Sequence, residues 1–215
     1  MRAVSVSRAV LPHFSRPAVS GVDLGQGYID FGGFVLAVTR PGAPRMPNGV
    51  EASVSASRGR RAWLGDGVLR LDSEILEPGP AWDPVPVVRC VPKDGPHLRP
   101  IPEALAGRGD GLTPAGDDIL AGYAAGLALF HGRLDEAGAI ARTAGPMTTR
   151  LSATLLDHAS RGELPEPAHV FLELGDPGPL DRFGHSSGRC LRLGLVLAAW
   201  GADGRQAGEE LLGLA

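Results

Sequence analysis

The chain has 215 residues, 21 of them basic and 24 acidic, and it contains no basic run or aromatic-interleaved stripe, so nucleic acid is not an expected partner. Cys90 and Cys190 lie far apart and lack Cys-x-x-Cys spacing, which argues against a zinc ribbon or a disulfide framework. Arg8 interrupts the apolar stretch near the N-terminus, and no uncharged run reaches the roughly 20 residues of a bilayer span, so we expect a cytoplasmic protein with no membrane partner.

The first half of the chain has the pattern of a strand-rich domain. Short β-branched and apolar stretches alternate with turn residues, which predicts strands at 4–6, 22–24, 28–38, 50–54, 62–64, 68–71 and 85–91. Asn48-Gly49 favours a tight hairpin turn that requires positive φ. The alternative for Asn48 is that its side-chain amide faces a ligand.

The second half has helical composition, with Ala, Leu, Glu and Arg dominating after a proline-rich connection. We predict helices at 102–106, 114–131, 134–143, 148–161, 167–174, 187–200 and 205–214. The predicted boundary lies near residue 95, giving domains at 1–95 and 96–215. The predicted fold class is α+β: a strand-rich half, either a small barrel or a sheet, packed on a mostly helical domain.

The most informative segment is a glycine-rich turn that leads into the long apolar helix predicted at 114–131. It reads Gly109-Asp110-Gly111-Leu112-Thr113-Pro114-Ala115-Gly116-Asp117-Asp118. Thr113 can cap the helix, Pro114 suits its first position, and the free N–H groups of the first turn favour an anion. We therefore predict that the turn binds a small anionic substrate, and capping alone is the alternative.

Two further polar turns precede helices and could line the same pocket. They are Thr148-Thr149-Arg150-Leu151-Ser152 and Gly184-His185-Ser186-Ser187-Gly188-Arg189. Hydroxyls and arginines suit phosphate or carboxylate oxygens, and His185 could transfer a proton. Helix capping is the alternative for both turns. The candidate catalytic residues are Asp117, Asp118 and His185, and the candidate substrate-binding residues are Gly109, Gly111, Thr113, Gly116, Thr149, Ser152, Ser186, Ser187, Arg189 and Asn48.

The adjacent acidic pair could bind Mg²⁺ with a bridging phosphate. Neighbouring residues of a helix point about 100° apart, however, so both carboxylates cannot easily bind one ion. We expect one carboxylate to face the ligand while the other makes a structural hydrogen bond. The sequence identifies no certain cofactor, and Mg²⁺ is a possible one.

An internal repeat relates the two glycine-rich helices. Gly116 and Gly122 have the same spacing as Gly188 and Gly194, and each pair follows a Thr- or Ser-containing turn. This predicts that the two helices pack closely through small residues and that their N-termini converge on one cavity. Thr113, Asp117, His185 and Ser186 should line it, with Asn48 closing one side.

The Gly109–Gly122 run, together with the later His-Ser-Ser-Gly turn, resembles the bacterial family called domain of unknown function 2877. The likeness includes 47–49 (Pro-Asn-Gly) and 81–84 (Ala-Trp-Asp-Pro), whereas Arg189 and Cys190 stand where small or acidic residues are expected. The resemblance implies a role like the AllH-type subunit of oxamate carbamoyltransferase. That multi-subunit enzyme of allantoin catabolism phosphorolyses oxalurate to oxamate and carbamoyl phosphate.

The sequence therefore leaves two hypotheses for the function. The first is a subunit of a carbamoyltransferase-like enzyme that binds phosphate or carbamoyl phosphate and a small carboxylate or amide of the oxamate or oxalurate type. Helix-terminal N–H groups would stabilise charge that develops on the transferred carbonyl. The second is a non-catalytic metabolite-binding or assembly subunit of a multi-protein complex.

Overall fold

The computed structural model describes residues 1–54, 61–89 and 99–199. The chain divides into two compact units, Met1–Pro84 and Val85–Ala215. The first is built of strands and the second of helices, which confirms the α+β class. The predicted boundary near residue 95 and the predicted helix at 205–214 lie outside the described residues, and the predicted domain limits stay a prediction.

The first unit is a curled nine-stranded sheet with one short helix. The strands run in the order β8-β7-β6-β2-β3-β4-β5-β1-β9, and they pair antiparallel except at β4–β5 and β1–β9. The elements are β1 (Ser5–Ser7), α1 (Leu11–Phe14), β2 (Val19–Gly25), β3 (Tyr28–Asp30), β4 (Val35–Thr39), β5 (Gly49–Glu51), β6 (Arg61–Gly65), β7 (Val68–Leu71), β8 (Glu74–Leu76) and β9 (Ala81–Trp82).

The sheet encloses its own apolar core. Apolar side chains of its strands, among them Leu36, Val50, Leu64 and Leu69, are fully buried in one cluster. The long strand predicted at 28–38 is divided into β3 and β4. The strand predicted at 85–91 is wrong over 85–89, where prolines at 84 and 86 lack the N–H that a ladder needs; residues 90 and 91 lie outside the described part.

The hairpin predicted at Asn48-Gly49 is also wrong. The strand that follows this turn pairs in parallel with β4, with Gly49 opposite Ala37, and neither Asn48 nor Gly49 has a positive φ. Glycine is needed at position 49 because the chain packs closely there: a Cβ at Gly49 would lie 2.8 Å from the carbonyl oxygen of Met46. The tertiary pairing of β4 with β5 therefore overrides the local hairpin signal.

The second unit packs its helices around one buried helix, α3. The helices are α2 (Pro102–Leu105), α3 (Ala115–His131), α4 (Leu134–Ala144), a short 3₁₀ turn (Gly145–Met147), α5 (Arg150–Ser160), α6 (Glu166–Leu174), α7 (Gly178–Asp181) and α8 (Ser187–Ala199). Most of α3 is buried, because it carries apolar or small residues on nearly every face. Among the described residues, no helix combines the length and apolar character needed to cross a membrane.

An ionic cluster closes the C-terminal end of α5. Nδ1 of the buried His158 lies 2.5 Å from Glu163 Oε2, and Arg161 donates to the same oxygen at 3.1 Å. Burial by itself would raise the pKa of Glu163, but the hydrogen bond and charge of His158, followed by those of Arg161, outweigh it. The pKa of Glu163 is therefore lowered, and its ionised form stabilises this end of the helix.

Candidate functional site

The two glycine-rich helices, α3 and α8, pack in close contact. A Cβ at Gly194 would lie 2.1 Å from the Ile119 carbonyl oxygen, and one at Gly122 would lie 2.0 Å from the Leu191 carbonyl oxygen. Four residues after Gly122, Gly126 lies against Ala198, which is four residues after Gly194. The contacts therefore advance in the same direction along both helices, and the helices run parallel. The prediction that they pack through small residues is confirmed.

The internal repeat extends to the turns that precede these helices. Gly116 lies against the carbonyl oxygen of Leu105 in α2, and Gly188 lies against that of Leu180 in α7, so close that an added Cβ would be 2.1 and 1.6 Å away. Each long helix therefore begins on the carbonyl group of a short helix just before it. The α2–α3 pair meets the α7–α8 pair where Gly122 contacts Gly194.

This arrangement brings the N-termini of α3 and α8 together. The hydroxyls of Thr113 and Ser187 form a hydrogen bond at 2.9 Å. The predicted approach of the two turns is confirmed, and the cavity that they were expected to line stays a prediction. The predicted cap is wrong: Pro114 occupies the N-cap position and Ala115 the first helical position, and the Thr113 hydroxyl is bonded to Ser187.

Asp117 is a structural brace. Its Oδ1 accepts a hydrogen bond from the Gly107 N–H at 2.8 Å, and its Oδ2 accepts one from the Thr148 hydroxyl. The residue is buried, and both of its oxygens join neighbouring loops to the first turn of α3. Asp117 is therefore the member of the acidic pair that makes the structural hydrogen bonds.

Asp118 has the opposite character. Only 8% of the residue is exposed, the hydroxyls of Ser187 and Thr113 lie within hydrogen-bonding reach of its carboxyl group, and its Oδ2 has no hydrogen-bond partner among the described residues. Burial raises its pKa to about 7, the hydroxyl of Ser187 opposes that shift, and the charge of Asp117 adds to it. A buried polar atom without a partner marks a place where a ligand atom would be stabilised.

The side chains of Thr113, Asp118, Ser187 and Cys190 are called the junction cluster below. Cys190 is included because it lies three residues after Ser187 on the same face of α8. The charge of Asp118 also contributes to the raised pKa of its thiol, after burial and before the opposing charge of Arg189. Sequence reasoning missed Cys190 as a site residue. The internal repeat was the available signal, since Cys190 follows Gly188 at the same spacing as Asp118 follows Gly116.

Three backbone N–H groups at the start of α3 already have acceptors within the chain. The N–H of Gly116 donates to the Arg108 carbonyl at 2.9 Å, and those of Asp117 and Asp118 donate to Pro114 at 3.0 and 3.2 Å. The expectation of free N–H groups is wrong for these three residues. The turn folds back on its own helix and satisfies them.

The glycines of the turn serve its backbone conformation. Gly109 and Gly111 have φ of +117° and +94°, a region that side-chain-bearing residues rarely adopt. A Cβ at Gly109 would in addition lie 2.8 Å from the Ala115 nitrogen. These glycines therefore shape the turn, and a ligand is not needed to explain them.

Thr149 caps α5, as the capping alternative expected. Its hydroxyl oxygen accepts a hydrogen bond from the Ser152 N–H at 3.1 Å, and its O–H donates to the Leu112 carbonyl at 2.7 Å. The buried Ser152 hydroxyl has no hydrogen-bond partner among the described residues. The second polar turn therefore supports the glycine-rich turn through Leu112.

The third polar turn places two of its candidates at the surface. His185 and Arg189 are exposed, and the Arg189 guanidinium donates to the His185 carbonyl at 3.2 Å. Ser186 uses its carbonyl to accept from the Cys190 N–H at 3.0 Å. Of this turn, Ser187 is the residue whose side chain reaches the junction cluster.

Asn48 lies in the strand unit and is fully buried. Its amide group donates to the Val35 carbonyl at 2.8 Å, and its Oδ1 has no partner among the described residues. Its predicted position beside the site stays a prediction. Among the residues at 1–54, 61–89 and 99–199, no group of three or more His, Cys, Asp or Glu side chains could hold a metal ion.

These observations define an α+β protein whose helical unit carries a partly buried polar cluster, centred on the buried Asp118, between two parallel helices. A comparison with known protein families matches part of the chain. Residues 105–199 match the family model described as oxamate carbamoyltransferase subunit AllH. The match confirms the resemblance over that part of the chain, which runs from α2 to the end of α8. No curated protein and no solved structure matches the chain.

Proposed function

We propose that the chain is a subunit of a carbamoyltransferase-like enzyme of allantoin catabolism. It binds phosphate or carbamoyl phosphate together with a small carboxylate or amide of the oxamate or oxalurate type. Support comes from the family match, which spans both glycine-rich helices, and from the junction cluster between their N-termini. Partner subunits follow from the same match, and the cytoplasm is the compartment we expect.

One observation carries the binding site: the Oδ2 atom of Asp118, which is buried and has no partner among the described residues. Leaving such an atom unpaired costs about 1–3 kcal/mol, so a ligand atom that pairs with it gains that amount. A carboxyl group with a pKa of about 7 also holds or releases a proton near neutral pH. We therefore assign Asp118 as the residue that contacts the reacting group.

The remaining candidates support this residue in different ways. Thr113 and Ser187 orient the carboxyl group through their hydroxyls, and Asp117 positions the turn. His185, exposed in the turn that precedes α8, is the proposed proton donor to the leaving group. Each of these roles is a proposal that depends on ligand binding at the junction cluster.

Titration calorimetry on the purified chain tests the proposal, with phosphate, carbamoyl phosphate and oxamate as separate ligands. We expect binding at millimolar concentration or better for at least one of them, and at least tenfold weaker binding by the Asp118→Asn variant. Asp135→Asn is the matched control, because Asp135 is an exposed aspartate in the first turn of α4. Absence of binding by a folded sample, or equal losses in both variants, would contradict the site.

The second candidate is a non-catalytic metabolite-binding or assembly subunit. The observation that favours it is the internal pairing at the start of α3, where the N–H groups of Gly116, Asp117 and Asp118 and both Asp117 oxygens already have partners within the chain. Phosphate-dependent carbamoyl transfer, measured with the partner subunits present, separates the two. Loss of transfer in Asp118→Asn with assembly intact supports the enzyme, and unchanged transfer supports the second candidate.

A further inference from the structure

We propose that the outer side of the sheet, over β3, β2, β6, β7 and β8, binds a second copy of this chain about a two-fold axis at Val22. The inference goes beyond the proposed function, because it concerns the strand unit, whereas the family match covers residues 105–199 of the helical unit. We call this surface the outer face. It is defined by eight residues: Ser20, Val22, Leu24, Asp30, Arg61, Trp63, Arg70 and Ile75.

Strand alternation directs these side chains away from the core of the strand unit. On β6, Leu64 is buried and its neighbour Trp63 is exposed. On β2, a Cβ at Gly21 would lie 2.7 Å from a side-chain carbon of Ile29 in the core, so the next residue, Val22, faces outward. The registers of β2 with β6, β6 with β7 and β7 with β8 continue this direction across the sheet.

The outer face carries large apolar side chains at positions where the solvated side of an antiparallel sheet usually carries polar ones. Val22 is 69% exposed, Ile75 44%, Leu24 38% and Trp63 36%. Leu24 follows Val22 by two residues on β2, and Trp63 is a diagonal neighbour of Val22 because Val22 pairs with Arg61. Exposed apolar side chains that adjoin one another mark an interaction surface.

The charges on the outer face indicate the partner that fits it. Asp30, Val22 and Arg61 form one row across β3, β2 and β6, because Val22 pairs with both of the others. The row is therefore acidic at one end, apolar at its centre and basic at the other end. A two-fold axis along β2 at Val22 places Asp30 of each copy opposite Arg61 of the other, with the two Val22 side chains between them.

This order of side chains is the self-complementarity that a two-fold dimer requires, because one surface must match itself. Both ion pairs form together in the dimer. A partner with a uniformly acidic or basic surface would instead meet a like charge at one end of the row. The second copy is therefore the occupant that the outer face fits best.

The size of the outer face bears on the strength of the dimer. Its five strands are separated by four spacings of about 4.8 Å, which gives a width of about 19 Å. Small interfaces form reversible complexes, so we expect a dimer that dissociates on dilution. Exposed ion pairs add little affinity but select the partner and its orientation. The apolar side chains should therefore supply the affinity and the Asp30–Arg61 pairs the orientation.

Sedimentation velocity of the full chain, from micromolar to near-millimolar concentration, measures the dimer. Asp30→Arg and Arg61→Asp each replace both ion pairs of the dimer by like-charge contacts, so either variant alone should associate at least tenfold more weakly than the unmodified chain. An equimolar mixture of the two should recover association to within threefold, because every heterodimer then contains two opposite-charge pairs. Arg40→Asp is the matched control, since Arg40 is exposed beyond the end of β4 and outside the outer face, and it should dimerise like the unmodified chain.

Val22→Glu is an independent variant that does not alter either ion pair. It places two carboxylates at the axis and should also weaken association at least tenfold. Circular dichroism checks the fold of each variant, and recovery in the mixture would itself show that both charge-reversed chains are folded.

Three results would overturn the inference. A chain that stays monomeric over the whole concentration series would exclude the second copy as the occupant. A dimer that persists unchanged in Val22→Glu and in both charge reversals would lie on another surface. Weaker association of the single variants without recovery in their mixture would exclude the two-fold arrangement at Val22. None of these results bears on the proposed function, which is tested by ligand binding at the junction cluster.

Discussion

Replacing Gly194 with alanine would insert a methyl group between α3 and α8, the two helices that hold the junction cluster. The added Cβ would lie 2.1 Å from the Ile119 carbonyl oxygen, 2.6 Å from the Tyr123 nitrogen and 2.9 Å from the Gly122 Cα. All three atoms belong to backbone, so no side chain can rotate away. Real Cβ atoms keep at least 3.0 Å from such atoms, and the helices must therefore separate locally by about 0.9 Å, the difference between 3.0 and 2.1 Å.

The magnitude follows from two opposing terms. Overpacking a close contact costs typically about 1–3 kcal/mol, and three backbone clashes place Gly194→Ala at the upper end. Alanine also has the better helix propensity, which returns roughly 1 kcal/mol. The free energy of unfolding should therefore fall by about 2 kcal/mol, and the melting temperature by roughly 4–8 °C for a protein of this size.

Gly138→Ala is the matched control for this experiment. Gly138 lies in α4, and the nearest atom to its added Cβ is the Arg142 guanidinium nitrogen at 2.9 Å, at the mobile end of a side chain. The control should therefore be neutral or more stable by up to about 1 kcal/mol. Urea unfolding followed by circular dichroism measures both variants. Equal stabilities of Gly194→Ala and Gly138→Ala would refute the close-packing argument.

Three further predictions concern titratable side chains. Asp117→Asn should reduce the free energy of unfolding by about 1–3 kcal/mol, because an amide can replace only one of the two acceptors that pair with Gly107 and Thr148; a urea titration measures it. Asp118→Asn should raise the melting temperature above pH 7 and change it little near pH 4, because a folded-state pKa of about 7 against 3.8 in the unfolded chain makes stability fall as pH rises between those values. A lower melting temperature for that variant at high pH would show that the buried carboxylate is stabilising. Glu163→Gln should flatten the acid limb of the pH–stability curve: with its folded pKa lowered, Glu163 contributes stability above its unfolded value of 4.5 that is lost as pH falls through the folded pKa. An unchanged acid limb in calorimetry would contradict that role.

The helical half was the easier half to predict, because its signals are local. The apolar run after Pro114 and the glycine after His131 indicate α3, and the structure places it at Ala115–His131. The spacing shared by Gly116, Gly122, Gly188 and Gly194 indicated the close helix pair. Local patterns did not indicate the parallel pairing of β4 with β5, because which strands become neighbours is decided by contacts distant in sequence.

The sequence predicted that the two carboxylates of the acidic pair have different roles, but it did not determine which residue takes which role. Asp117 and Asp118 are adjacent and chemically identical, and helix geometry by itself predicts only that they point about 100° apart. The direction of each is fixed by what packs there: Thr148 from the loop before α5 pairs with Asp117, and Ser187 from α8 reaches Asp118. Neither partner is close to the pair in sequence.

The sequence by itself determined the α+β division, the long buried helix, the repeat that brings two turns together and the segment that matches the AllH family. These depend on periodicity, small residues and motif spacing, which are properties of the chain. Tertiary structure decided which groups of the turn stay unpaired. Three N–H groups that the sequence suggested were free, those of Gly116, Asp117 and Asp118, donate to carbonyl groups of the turn, whereas one carboxylate oxygen of Asp118 has no partner among the described residues. Hydrogen-bond satisfaction depends on every group that folding brings near.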